Sequence, residues 1–385
     1  MARFLGPEET GLFKSFTIPL TYMTFLHLGT FDGLWRQIPY YLEKKNYLKV
    51  DNLAATAGYW NLIVSITVSL IFFLIAVYSL IAKDVYGFFG WISQSICCWG
   101  VFYGGYLGAT YRTLSHFVVL AKINLIQSVL NFLMVFLLPF FKFYGLCFRS
   151  FFPVIVGLLL CHIKKPLNVK YLFNVKEFQE IVKVGLPFSF WGSLYTSIWF
   201  AVESTLMLYF GGLTGLGYFS VAVAMREGMN VLPMAVYQVL SPKIVAAFSR
   251  DGNINSSITY CFKITIFLVC FMSVSVFFVS LFIELIVPLA IPKYIHGLDL
   301  MKLCLLFSVV QSASIPSNLL FAENNHYSFG KGIFIGLLIF LIMSLIFVNF
   351  MSPIIGIALA SLLGRSARVL SVYYELYLIN KSNKL

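Results

Sequence analysis

A chain of 385 residues would form two or three domains if water were its solvent. Here 60% of residues are hydrophobic and 11% are charged, whereas a soluble fold carries about a quarter charged residues. So few charges cannot wet the surface of a soluble protein this size, so lipid is the solvent, which excludes a secreted disulfide module, a nucleic-acid reader and a soluble enzyme.

Eleven apolar stretches follow in chain order: 11–32, 58–82, 86–110, 117–140, 144–162, 184–210, 216–240, 259–283, 301–322, 332–350 and 354–379. Each is long enough to cross a hydrocarbon core of about 30 Å. They must be helices, because each satisfies its backbone internally and a barrel strand needs only about ten residues. The first is the most polar, with Lys14, His27 and Asp32. The longest connections, 33–57 and 163–183, are too short for a catalytic domain.

Lys and Arg in alternate loops set the orientation. The loops after the odd-numbered spans hold fifteen, and the opposite set holds only Arg3, Lys83, Lys142 and Lys293. Positive loops stay in the cytoplasm, which places the C-terminus there and accounts for most of the +12 charge. An odd span count then puts the N-terminus outside. An internal repeat explains this: at an offset of 206, Phe4, Gly6, Gly11 and Phe13 superpose on Phe210, Gly212, Gly217 and Phe219. Both segments read as Gly-containing turns leading into a helix, but only the second follows a full span. The pattern predicts an all-α polytopic membrane protein of twelve helices in two parallel repeats, with eleven visible. Residues 1–162 form an N-terminal bundle of five spans, 163–183 a cytoplasmic linker, and 184–385 a C-terminal bundle of six.

Charges inside spans are costly and are functional candidates by default. Lys14, Lys122, Lys263 and Lys302 lie near helix ends and can snorkel to the interface. Arg226, Arg365 and Arg368 lie deeper, and Arg149 is intermediate. Arg365 and Arg368 are spaced i, i+3 and share a helix face, which should look into protein or a wet cavity. Arginine forks match the oxygens of a diphosphate, so these four are candidate substrate-binding residues; the alternative is pairing with Asp32, Glu203, Glu227 or Glu375. Glu203, Glu227 and Asp32 are candidates for ion coupling, since a carboxylate in low dielectric can load and release a proton. Adjacency of Arg226 and Glu227 does not itself make an ion pair. Gly100, Gly104 and Gly108 form a small-residue stripe suited to close helix packing. The seven cysteines suit neither a metal nor a disulfide framework, and no cofactor or catalytic residue is called for.

The runs ARFLGPEETGLF from Ala2 and LGTFDGLWR from Leu28 resemble the N-terminal signature of the lipid-linked oligosaccharide flippases of Wzx type. These belong to the multidrug/oligosaccharidyl-lipid/polysaccharide exporter superfamily. KVGLP from Lys183, Glu203, FGGLTGLGY from Phe210 and VLPMAVYQVLSP from Val231 continue the resemblance through the middle of the chain. It implies a MATE-like, V-shaped transporter of two bundles in the bacterial inner membrane. Its substrate would be an undecaprenyl-pyrophosphate-linked glycan for O-antigen, capsule or other surface polysaccharide, moved by alternating access. Its partners would be the bilayer, that anionic glycan, and the polysaccharide polymerase and chain-length machinery; nucleic acid is not among them. Glu203 stands where relatives often have Asp, and the family's first helix has no counterpart here, as expected of a misassigned start or a truncated gene. The alternatives are a multidrug exporter of the same superfamily, an inactive truncated transporter, and a membrane polymerase or acyltransferase. The last has only His296 and Asp299 as a nearby acid–base pair.

Overall fold

In the computed structural model, which describes residues 2–251, 254–322 and 326–382, the chain is helical almost throughout, with no strand among the described residues. The helices are α1 (Pro7–Met23), α2 (Thr30–Glu43), α3 (Tyr47–Ile81), α4 (Val85–Val101), α5 (Tyr103–Thr113), α6 (Phe117–Leu133) and α7 (Leu138–Ile163). Then follow α8 (Val175–Ser193), α9 (Trp199–Asp251), α10 (Ile254–Ala290), α11 (Leu298–Ala313), α12 (Ser317–Ala322), α13 (His326–Phe350) and α14 (Pro353–Ser382). Seven helical stretches among the described residues are long and apolar enough to cross a membrane, and the fold is that of a polytopic helical membrane protein.

Two of those seven stretches, 117–163 and 175–236, are interrupted at Lys142 (φ 44°) and Gly212 (φ 65°). At Lys142 the chain doubles back: Gln127 donates to the Pro153 carbonyl at 3.2 Å and Arg149 to that of Asn131 at 3.1 Å. One partner number rises as the other falls, the mark of antiparallel neighbours. The same inverse pairing joins α3 to α4 (Ser69 with Ser95, Ser65 with Cys98) and α13 to α14 (Gly336 with Gly364, Gly332 with Arg368).

Several expected boundaries need correction. The stretch 11–32 is not one helix: it ends at Met23, passes through a 3-10 turn, Thr24–His27, and restarts at Thr30 after left-handed Leu28 and Gly29. Most of 33–57, expected as a loop, is helical. Asn46 caps α3 by accepting from the Lys49 amide at 3.1 Å, so the helix starts eleven residues before position 58. Asn174 likewise caps α8 through the Lys176 amide, making the end of 163–183 helical. The stretch 86–110 breaks at Phe102, and 301–322 breaks between Ala313 and Ser317, around Pro316.

The chain divides into two compact units, one gathering Arg3–Leu5 and Phe16–Ala201, the other Gly6–Ser15 and Val202–Leu385. The cores of the first include an aromatic-rich one around Leu34, Tyr106 and Tyr111 and another around Val68, Phe72 and Phe102. Val154 and Leu158 of α7 lie on Gly100 and Gly104, so that stripe packs within the unit.

In the second unit the sequence repeat has a physical counterpart. A Cβ added to Gly11 would stand 1.8 Å from the Leu213 carbonyl oxygen, and one added to Gly217 would stand 1.8 Å from that of Pro7. The offset of 206 that carries Gly11 onto Gly217 carries Pro7 onto Leu213. The crossing is therefore its own image: each copy's glycine admits the other copy's first helical turn. Thr10 and Tyr294, hydroxyl to hydroxyl at 2.8 Å, fix the α1 side. Gly11→Leu and Gly217→Leu should each destabilise the protein by about 3 kcal/mol through overpacking against backbone. Gly6→Ala, where nothing lies within 4 Å of the added carbon, should be silent in thermal melts of the detergent-purified protein.

Candidate functional site

Glu203 and Arg226 sit on the same helix, 23 residues apart. In an unbroken helix that spacing corresponds to about 35 Å. The break at Gly212 folds α9 back on itself, and Arg226 Nη1 comes within 3.8 Å of Glu203 Oε2. Gly212 adopts a positive φ with no neighbour within 4 Å of the side-chain position, so the reversal is made where no Cβ opposes it.

The other oxygen of Glu203 belongs to α14. Arg365 Nη2 donates to Oε1 at 2.9 Å, and the Ser361 hydroxyl donates to the same oxygen. Ser361 and Arg365 are one helical turn apart and reach Glu203 from one face, with Arg365 Nε 3.4 Å from Ser361 Oγ. Phe307 of α11 completes the cage. The Arg226 and Arg365 guanidinium carbons lie 5.4 and 5.6 Å from its ring centroid, within cation–π range.

Glu203 is 1% exposed and Arg226 7% exposed, so the ions are removed from solvent. A carboxylate there is tolerable only because two guanidiniums face it. One acid against two cations leaves a positive surplus. Glu227, whose side chain is 55% exposed, offsets it from the rim through a 3.2 Å contact to Arg226. Arg226 thus does pair with its sequence neighbour, which adjacency alone did not establish. Among the described residues Glu203 Oε2 and Arg226 Nη1 have no hydrogen-bond partner, and they are separated from each other by more than hydrogen-bonding distance.

The remaining candidates divide. Arg368 is 3% exposed and lies over the Phe329 ring of α13 at 5.5 Å, so it shares the α14 face with Arg365 while facing a different neighbour. Glu375, considered as a partner for the arginines, instead pairs with Lys331 at 2.8 Å and accepts from Ser328. Lys302 pairs with Glu284. Arg149 and Asp32 belong to the first unit. Arg149 donates across the α6–α7 hairpin to Asn131, and Asp32, in the first turn of α2, lies in the field of Arg36 and Arg112. Arg36 lies over the Phe188 ring of α8. Two members of the cage were not anticipated. Ser361, four residues before an in-span arginine, was findable as an i, i+4 polar pair; Phe307 is one of 40 phenylalanines and carried no signal.

Neither any family model nor any curated protein sequence matches the chain. Solved structures do. A multidrug resistance MATE family transporter of the MOP superfamily in an inward-facing conformation is similar at TM-score 0.81 and 17% identity, covering 100% of this chain and 93% of that one. A structure described as the outward-facing conformation of such a transporter is similar at TM-score 0.67 and 17% identity, covering 100% and 91%. A MOP superfamily transporter from Pyrococcus furiosus is similar at TM-score 0.66 and 16% identity, covering 97% and 88%. That protein is described by a binding pocket of reverse polarity, which suggests a different function for it. At such identities the likeness is one of fold.

Removing one member of the cage leaves uncompensated buried charge. Glu203→Ala should cost about 3–5 kcal/mol, read from thermal or denaturant unfolding in detergent, because two guanidiniums lose their anion. Glu284→Ala, which breaks the peripheral pair with Lys302 near the ends of α10 and α11, should change stability by less than about 1 kcal/mol.

Proposed function

We propose that the protein is an alternating-access transporter for an anionic, lipid-linked oligosaccharide of undecaprenyl-pyrophosphate type, serving surface-polysaccharide assembly. It acts in the bacterial inner membrane with its C-terminus in the cytoplasm. The observation that carries this reading is the sign of the buried charge. In the second unit Arg226, Arg365 and Arg368 are set into apolar helices, and Glu203 is the acid buried among them. A site held positive attracts phosphate oxygens and repels a cationic drug. The P. furiosus protein, described by a pocket of reverse polarity and a different function, gives a precedent within this fold. Solved structures of the fold in both inward- and outward-facing states support alternation as the mode of transport. Arg149 is a further substrate contact in this reading. Glu203, Glu227 and Asp32 are the candidates for ion coupling, with Glu203 released when Arg226 or Arg365 turns to the substrate. Polysaccharide polymerase and chain-length proteins are the partners that would take the product.

A second reading is a multidrug exporter, favoured by the fold likeness to multidrug MATE transporters. The two readings separate in cells. In a strain whose surface polymer depends on this gene, Arg226→Ala, Arg365→Ala and Arg368→Ala should each lower surface polysaccharide by at least about tenfold at equal protein level, the loss expected for one charge-assisted phosphate contact. Normal polymer in all three would overturn the flippase reading. Raised resistance to cationic compounds on overexpression would favour the exporter.

A further inference from the structure

Export as described makes no use of a cavity of about 550 Å³ in the first unit, between the first turns of α3 and the irregular run 168–174 ahead of α8. Its polar wall is Asp51, Asn52, Thr56, Asn168 and Lys170, and Phe173 supplies an aromatic face.

Both walls are fixed from behind. Lys49 Nζ lies 2.6 Å from both Glu177 and Glu180, tying the start of α3 to the start of α8. The Tyr41 hydroxyl donates to Glu180 at 2.7 Å. The irregular run is held by Tyr171, whose hydroxyl lies 2.9 Å from that of Tyr103, itself 2.7 Å from His162 Nδ1. A Cβ on Gly58 would stand 2.5 Å from the Tyr171 ring, so only glycine lets the loop seat so closely on α3. Asn174 spends its oxygen on the α8 cap. A connection anchored this firmly still presents Asp51, Asn52, Asn168 and Lys170 with no hydrogen-bond or ion-pair partner among the described residues.

The chemistry of that set is specific. Asparagine amides both donate and accept, the carboxylate accepts and the ammonium donates. Sugar hydroxyls, each donor and acceptor at once, are matched by such a mixture. An apolar sugar C–H face is matched by Phe173, which is 42% exposed and backed by Tyr59 and Phe178 at ring distances of 5.7 and 5.3 Å. Asp51 opposes a bare phosphate and Lys170 opposes an organic cation, so the pair favours a neutral polyhydroxyl ligand. We propose that this cavity binds a pyranose unit. That the pyranose belongs to the exported glycan rests on the flippase reading; that the cavity takes a pyranose does not.

The test uses the full chain in lipid nanodiscs and saturation-transfer difference NMR with methyl glucopyranoside, methyl galactopyranoside and N-acetylglucosamine at about 5 mM, suited to millimolar affinity. At least one should give transfer signals. These should fall about tenfold in the Asn52→Ala, Asn168→Ala double variant, which loses two hydrogen-bonding amides. Both side chains are exposed and have no protein partner among the described residues, so the variant should keep the parent's melting temperature. No signal from any of the three sugars overturns the proposal. So do signals unchanged in the double variant, or signals displaced by equimolar inorganic diphosphate. The two readings fail separately. Lost export in the arginine variants without pyranoside signals leaves the flippase standing and removes the pocket. Pyranoside signals with normal export in those variants do the reverse.

Discussion

Hydrocarbon supplies no hydrogen bonds and no screening, so a chain dissolved in it has to satisfy its own backbone and its own charges. Wherever the helical ladder stops, local groups take over. At the first interruption the Gly29 amide donates to His27 Nδ1 at 3.0 Å and the Thr30 hydroxyl to the His27 carbonyl at 2.9 Å. The Asn61 amide then donates to the Thr30 hydroxyl at 2.9 Å and stitches the break to α3. His27 stacks on Phe31, with ring centroids 4.4 Å apart. A histidine in an apolar run thus serves to end one helix and begin another.

The same constraint on charge explains the architecture of the second unit. Glu203 is buried where two guanidiniums and the Ser361 hydroxyl meet it, and these come from a helix that has reversed at Gly212 and from α14. The fold-back at Gly212 therefore acts twice. It permits the reciprocal crossing of Pro7 and Gly11 with Leu213 and Gly217, and it returns Arg226 to Glu203. A straight α9 would part Arg226 from Glu203 and leave Arg365 as the one guanidinium on that acid, at a cost of several kcal/mol for the unpaired buried arginine. Backbone geometry and electrostatics select the same bend.

Hydropathy made the helical membrane fold legible, because a run of apolar residues long enough to cross lipid has few other structures open to it. Helix ends were less legible. Window hydropathy stops where residues turn polar, but α3 and α8 continue past the apolar run to their Asn46 and Asn174 caps. The α1–α2 break was hidden because left-handed Leu28 and Gly29 sit among residues that a helix also tolerates. In the site, the charged members stood out by their rarity. Their pairing did not, since Glu203 and Arg365 are 162 residues apart. Arg365 and Arg368 show how far spacing carries an argument. Sharing a face is a matter of helix period, but which neighbour each meets depends on the helix opposite.

Fold and function separate at this point. Likeness at 16–17% identity over nearly the whole chain fixes the path of the helices and leaves the lining side chains free to differ. Among the proteins of this fold named above, one is described by multidrug resistance and another by a pocket of reverse polarity. The fold alone therefore does not fix the polarity of a pocket, which has to be read from the residues. In this chain the cage has two arginines on one glutamate, with a further arginine one turn along α14. Exchanging Glu203 for a neutral residue would leave the cage more positive, whereas removing either arginine would move it towards neutrality. The balance among these few ions is set by the side chains that line the cage and not by the helices that hold them, so a shared scaffold does not by itself fix it.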